Sequence, residues 1–270
     1  MFMTLSFVLF LFLAHLGIGI VVSLLLVPRT AGVQFFRFNA GFTATLLLVA
    51  LALRPEEVTP GTDAHGIGFF TLVVSTGAIL IYWATVGRIM AWLRPVLLWL
   101  SAGAGTAALI TQAIAVSAGP DSWSSALTVA SFLTSAALLG GTSTAMILGH
   151  WYLVLPSMEV ALLQAVVKFH IGSTALRIIV VSLAVWWALT IAELPGISFE
   201  RYIFSLDGVF FWQRILFGLL GPVVLAYMTW ETAKIRATQS ATGILYVDFF
   251  TVIVGEVLAK YLLVATTVPV

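Results

Sequence analysis

The chain has 270 residues, 61% of them hydrophobic and only 9% charged, with a formal net charge of +1 and a mean hydropathy of +1.12. A water-soluble domain carries roughly 25% charged residues, so a soluble fold is excluded, and the near-neutral balance argues against a nucleic-acid partner, which calls for a clustered basic face. There is no cysteine, which rules out disulfides, thiolate zinc sites, cysteine-ligated iron–sulfur clusters and a cysteine nucleophile.

Crossing ~30 Å of hydrocarbon takes ~20 apolar residues in a helix. Eight stretches meet that length, roughly 5–27, 33–53, 66–88, 95–117, 124–154, 160–192, 209–231 and 243–265. The first has no basic segment ahead of it and Arg29 behind it, so it reads as a retained helix rather than a signal peptide. Turn chemistry marks the breaks: Pro28, Pro55, Pro60-Gly61, Arg94-Pro95, Gly119-Pro120, Pro156, Pro195-Gly196 and Thr238 to Thr242. The fifth and sixth stretches exceed one span, which calls for tilt or for interfacial ends. The fold class is therefore all-α, a polytopic membrane bundle of about eight helices forming one domain over 1–270. The longest connection, Glu193 to Gly208, is too short to fold as a domain, so any soluble catalytic module belongs to another chain.

An even number of spans puts both termini on one side. The loops of the far side hold Arg29, Arg37, Arg88, Arg94, Lys234 and Arg236 against Glu159 and Glu231. The terminal side holds Glu56, Glu57, Asp63, Asp121, Glu193, Glu200 and Asp207 against Arg54 and Arg201. Basic loops stay in the cytoplasm, so both termini are expected outside it, in a bacterial inner membrane.

Ionisable groups within a span cost ~2.5–3.5 kcal/mol near the helix centre. Lys168, Arg177, Arg214, Asp248, Glu256 and Lys260 fall there, with His15, His150 and His170. Each has a bland reading, as a snorkelling or bundle-pairing residue, and a functional one. On the sixth helix His170, Thr174 and Arg177 share a face, with Ser173 beside them, and that face should turn inward. Lys168 and His170 lie at the depth of Asp248 and close to Gly149-His150-Trp151-Tyr152, so Asp248 is expected to pair with Lys168 or His170. This cluster of His150, Lys168, His170 and Asp248 reads either as a structural ion pair with an aromatic belt or as a quinone or proton site. Glu256 and Lys260, one turn apart, can neutralise each other, and Arg214 at similar depth can complete the network. A carboxylate among cations also suits a quinol, whose oxidation releases protons.

Haem b is the rival cofactor, and needs two inward histidines at matching depth. A hairpin near Pro156 offsets His150 and His170 by about 12 Å, a poor match unless an interfacial segment absorbs the difference. His15 sits alone in the middle of the first helix, and His65 lies in a Gly-rich loop. Small residues crowd the fourth and fifth helices, among them Ser101, Gly105, Ser131, Ser135, Gly140 and Gly141. They permit close helix approach or leave a groove for a lipid-like tail.

The last helix, with Thr242-Gly243-Ile244-Leu245, Gly255-Glu256 and Lys260-Tyr261-Leu262, resembles the closing helix of membrane anchors in the DmsC/NrfD group. These are the quinone-interacting subunits of dimethyl sulfoxide and polysulfide reductase-type complexes. In that group a Gly-Glu pair is commonly followed by a basic residue and aromatics. Eight helices with external termini are similar to the DmsC branch. This chain departs from the pattern in placing His15-Leu16-Gly17 within the first helix rather than after the second. Only Glu256 and Lys260 carry over. The resemblance implies an electron-transfer assembly with separate redox subunits as partners beside membrane lipid, and no turnover by the chain alone. Quinone contact at His150, Lys168, His170, Arg177, Asp248, Glu256 or Lys260 is the expected function. A small secondary transporter or channel, using the same buried charges, is the alternative, and a purely structural anchor is a third.

Overall fold

The computed structural model describes residues 2–54, 64–88, 92–117, 122–155, 160–190 and 198–270, without the side chains of 2–4 and of 64 and 65. Within these residues the chain is helical throughout, and eight helices are long and apolar enough to cross a membrane. They are α1 (Phe2–Leu24), α2 (Val33–Ala52), α3 (Ala64–Thr85), α4 (Leu93–Val116), α5 (Ser122–Val154) and α6 (Val160–Thr190). After a short α7 (Phe199–Ile203) come α8 (Val209–Lys234) and α9 (Thr238–Thr266). These are the eight spans expected from the apolar runs. Pro95 lies in the first turn of α4, where its missing N–H costs nothing. The fifth and sixth spans are single unbroken helices of 33 and 31 residues. His65 belongs to the first turn of α3 rather than to a loop; its side chain lies outside the described residues. So do Glu56, Glu57, Asp63, Asp121, Glu159 and Glu193.

Helix α5 is the central post. It packs against α1, α4, α6 and α9, and 83% of its most apolar stretch is buried, against 33% for α8. Its small and hydroxyl residues explain this position. In hydrocarbon, lipid tails are as apolar as leucine, so helices associate through close packing and hydrogen bonds. Gly19 of α1 and Gly140 of α5 meet backbone to backbone: a Cβ on either would strike the main chain of the other helix. Large side chains face outward, among them Phe70, Trp99, Trp186, Phe217 and Phe250. On a soluble protein such a surface would drive association; here it matches lipid.

The ends of α1, α3, α5 and α8 and the starts of α2, α4, α6 and α9 gather at one end of the bundle. Phe35, early in α2, stacks edge-on against Trp151, late in α5, at 6.0 Å. Thr242 of α9 donates to the Gly149 carbonyl at 2.9 Å, and Gln164 of α6 donates to the Ala233 carbonyl of α8 at 3.3 Å. Arg29, Arg88, Lys234 and Arg236 are exposed at this end, so the basic loops segregate as the sequence implies. At the opposite end α7 closes a smaller core of Leu127, Trp187, Phe199, Ile203 and Phe211.

Helix α8 is not uniform. Leu216–Leu220 forms a π-helical turn, and the Gly221 amide reaches back five residues to the Leu216 carbonyl. The cause is Pro222. In a regular helix residue 222 would donate to the Gly218 carbonyl, but proline has no N–H and its ring crowds that oxygen. The freed carbonyl accepts instead from Arg214 Nη1, at 2.9 Å.

Candidate functional site

Two ionisable centres lie inside the bundle along the seam between α5, α6 and α9. The first is built on Glu256, which is fully buried. Its Oε1 accepts from Arg177 Nε at 3.0 Å and from Arg214 Nη2 at 2.8 Å. Its Oε2 accepts from Lys260 Nζ at 2.9 Å, from Ser135 Oγ at 2.5 Å and from Arg177 Nη2 at 3.3 Å. Arg177 is anchored further: Nη1 donates to Ser131 Oγ at 2.7 Å and to its carbonyl at 3.1 Å, and Nη2 to the Val270 carbonyl at 3.2 Å.

Ser135 is the hub of this centre. Its hydroxyl meets Glu256, Lys260 Nζ and His15 Nδ1, the last at 3.1 Å. A hydroxyl has one hydrogen and two lone pairs. The hydrogen serves the carboxylate and one lone pair the ammonium, so His15 must offer Nδ1–H to the other. His15 is thus not isolated; it is locked to α5, with its ring edge-on to Phe132 at 4.5 Å. His15, Ser135 and Arg177 each fall near the middle of their helix, so the centre lies inside the bundle rather than at its ends. One carboxylate there faces three cations.

The second centre is sparser. His170 Nε2 lies 2.7 Å from Asp248 Oδ2, with both side chains fully buried. His170 Nδ1 lies 2.9 Å from Thr142 Oγ1, which also donates to the Leu138 carbonyl at 2.8 Å. The close approach of His170 and Asp248 does not make a hydrogen bond, and both Asp248 oxygens keep unused acceptor capacity. On α5 the hydroxyls of Ser143 and Thr144, next to Thr142, are also buried without partners. Asp248 precedes Glu256 by eight residues, about 12 Å along the helix. The second centre therefore lies nearer the end of the bundle that carries the basic turns.

Hydrogen counting at Thr142 allows two tautomers of His170. If Thr142 gives its hydrogen to Leu138, its contact with His170 requires Nδ1–H; if Thr142 turns its hydrogen to Nδ1, the ring hydrogen sits on Nε2.

The expected site residues thus divide. Asp248 pairs with His170, and Glu256 with Lys260 and Arg214, as the spacing implied. Arg177 faces inward with His170 but reaches Glu256, not the His170 pair. Lys168 and His150 do not join. Lys168 is exposed, its ammonium 5.3 Å from the ring of Trp230. His150 is exposed, and its Nδ1 lies 2.8 Å from the Tyr246 hydroxyl. Lys168 directly follows the buried Val167, yet the helix turn of about 100° between neighbours puts them on different faces. Sequence reasoning missed His15, Ser131, Ser135 and Thr142 as partners. The signal was available for the serines, four residues apart on one face of α5.

A bis-histidine haem would need two histidines with free ring nitrogens converging. His170 has its two ring nitrogens facing Thr142 and Asp248, and His150 is exposed and bonded to Tyr246. Among the described residues no group of three or more His, Asp or Glu is placed to hold a metal ion.

Fold and site together define a class: an integral membrane protein, an all-α bundle with two buried ionisable centres. Comparison with protein-family models finds no match, and comparison with curated proteins finds none either.

Proposed function

We propose that this chain is the membrane-embedded subunit of a quinone-linked electron-transfer complex, and that the His170–Asp248 pair takes up and delivers protons there. The supporting observation is the incomplete satisfaction of that pair: a fully buried histidine and carboxylate with spare acceptor capacity and a hydroxyl that can serve either tautomer. Ionisable groups at such depth are retained where they carry protons or ligands.

Reducing a quinone to quinol consumes two electrons and two protons, and oxidising the quinol returns them. Electrons come from or go to redox subunits on other chains. The orphaned acceptors of Asp248 fit the hydroxyl hydrogens of a quinol head group. The chain's own part is to hold and move the proton between His170 Nε2 and Asp248 Oδ2, with Thr142 setting the tautomer.

Purification in mild detergent is expected to bring down larger redox subunits and extractable quinone, with no turnover by the chain alone. In the assembled complex, His170→Ala should abolish quinone-linked turnover while subunit content stays near wild type. Unchanged turnover with full assembly would refute the site assignment, and loss of assembly alone would mark the pair as structural.

One observation favours a second reading, a small secondary transporter. The π turn of α8 breaks a membrane helix directly beside the Glu256 centre, and interrupted helices beside buried charges are typical of transport sites. A lone purified chain that moves a solute across liposomes would decide for transport and against the anchor.

A further inference from the structure

We propose that a groove at the basic end of the bundle binds the phosphate head group of an anionic membrane lipid. The groove, of about 260 Å³, lies where α1 and α3 end and α2 and α4 begin. Its walls are of two kinds. Leu24, Val86 and Leu98 are apolar, whereas Arg29, Arg94 and Tyr82 supply polar atoms, and none of the lining residues is acidic. Arg29 and Arg94 line the same groove as Tyr82, so both cations border one space.

The polar side of the groove is under-satisfied. Arg94 Nε is buried without a hydrogen-bond partner. A buried donor with no partner is costly, the more so when charged, so an anion seated there has a specific gain. Two guanidiniums suit a phosphate in particular, because their planar forks match its oxygens.

Depth and shape select a lipid over a soluble anion. Trp92 and Trp99 are 72% and 65% exposed beside the start of α4, and tryptophans at a helix end mark the head-group level. Trp99 also lines the groove. An acyl chain descending from a phosphate at this level meets the apolar wall, whereas a free phosphate would leave that wall wet. Arginines clustered at one face of a membrane protein attract anionic lipid over neutral lipid. This site is independent of the His170–Asp248 proposal and shares no residue with it.

The test uses the full chain in dodecylmaltoside, titrated with dioleoyl phosphatidylglycerol, dioleoyl phosphatidylcholine or inorganic phosphate, with bound lipid counted by native mass spectrometry. Wild type should retain one phosphatidylglycerol in clear preference to phosphatidylcholine. Arg29→Gln/Arg94→Gln should lower that affinity by roughly a hundredfold, about tenfold for each charge-assisted contact. Arg29→Gln alone, at an exposed position where folding is not at stake, should lower it about tenfold. Equal retention of phosphatidylcholine, an unchanged affinity in Arg29→Gln, or displacement of the lipid by millimolar inorganic phosphate would each overturn the proposal.

Discussion

The Glu256 and His170–Asp248 centres are both built from a carboxylate buried on α9, yet they are furnished in opposite ways. Glu256 has both oxygens engaged, by two arginines, a lysine and a serine drawn from α5, α6, α8 and α9. Asp248 has one histidine beside it and spare acceptor capacity. A fully satisfied buried network fixes which helices meet and in what register, and any change to it is expensive. An incompletely satisfied pair has a second state within reach. The first centre therefore ties the bundle together, and the second leaves acceptor atoms free for another partner.

The largest effect should follow from Glu256→Gln. It leaves Arg177, Arg214 and Lys260 without their common anion, and breaking a buried ion pair by removing one partner costs about 3–5 kcal/mol. The amount of folded protein in membranes should collapse, as read by size-exclusion of a fluorescent fusion; wild-type levels would show that the network is dispensable. Next comes Gly140→Val, where a side chain meets the Gly19 backbone. Overpacking of this kind costs about 1–3 kcal/mol or more, and the detergent melting temperature should fall without loss of the fold. If Gly140→Val melts as wild type does, α1 and α5 are not held by backbone contact.

Asp248→Asn should cost less, no more than about 1.5 kcal/mol, the scale of one ordinary hydrogen bond, while abolishing quinone-linked turnover. Smallest of all are Lys168→Ala and His150→Ala, which should each shift stability by no more than about 1 kcal/mol, because their contacts are exposed ones. A strong loss of turnover in either would restore them to the site.

Much of this was legible in the chain itself. The apolar runs located all eight membrane helices, because hydrocarbon thickness fixes a length that few soluble segments reach. The four-residue spacing of Glu256 and Lys260 announced their pairing, and equal depth announced Lys168 or His170 as the partner of Asp248. What could not be read was rotation. Lys168 and His170 are two positions apart, so only one can face α9, and nothing in the spacing says which. His15 looked alone because its partner, Ser135, lies 120 residues away and hydroxyls are common in membrane helices. The π turn of α8 was foreshadowed by Pro222, but that Arg214 would satisfy the freed Gly218 carbonyl is a tertiary fact.

The most direct test of the division between the two centres is to express Asp248→Asn and Glu256→Gln side by side in the native host. Folded protein and quinone-linked turnover are then measured in the same membranes. The account predicts that Asp248→Asn accumulates like wild type and is inactive, while Glu256→Gln fails to accumulate. If Asp248→Asn is lost from the membrane as completely as Glu256→Gln, or if it accumulates and remains active, the second centre is part of the scaffold and the proposed proton role is wrong.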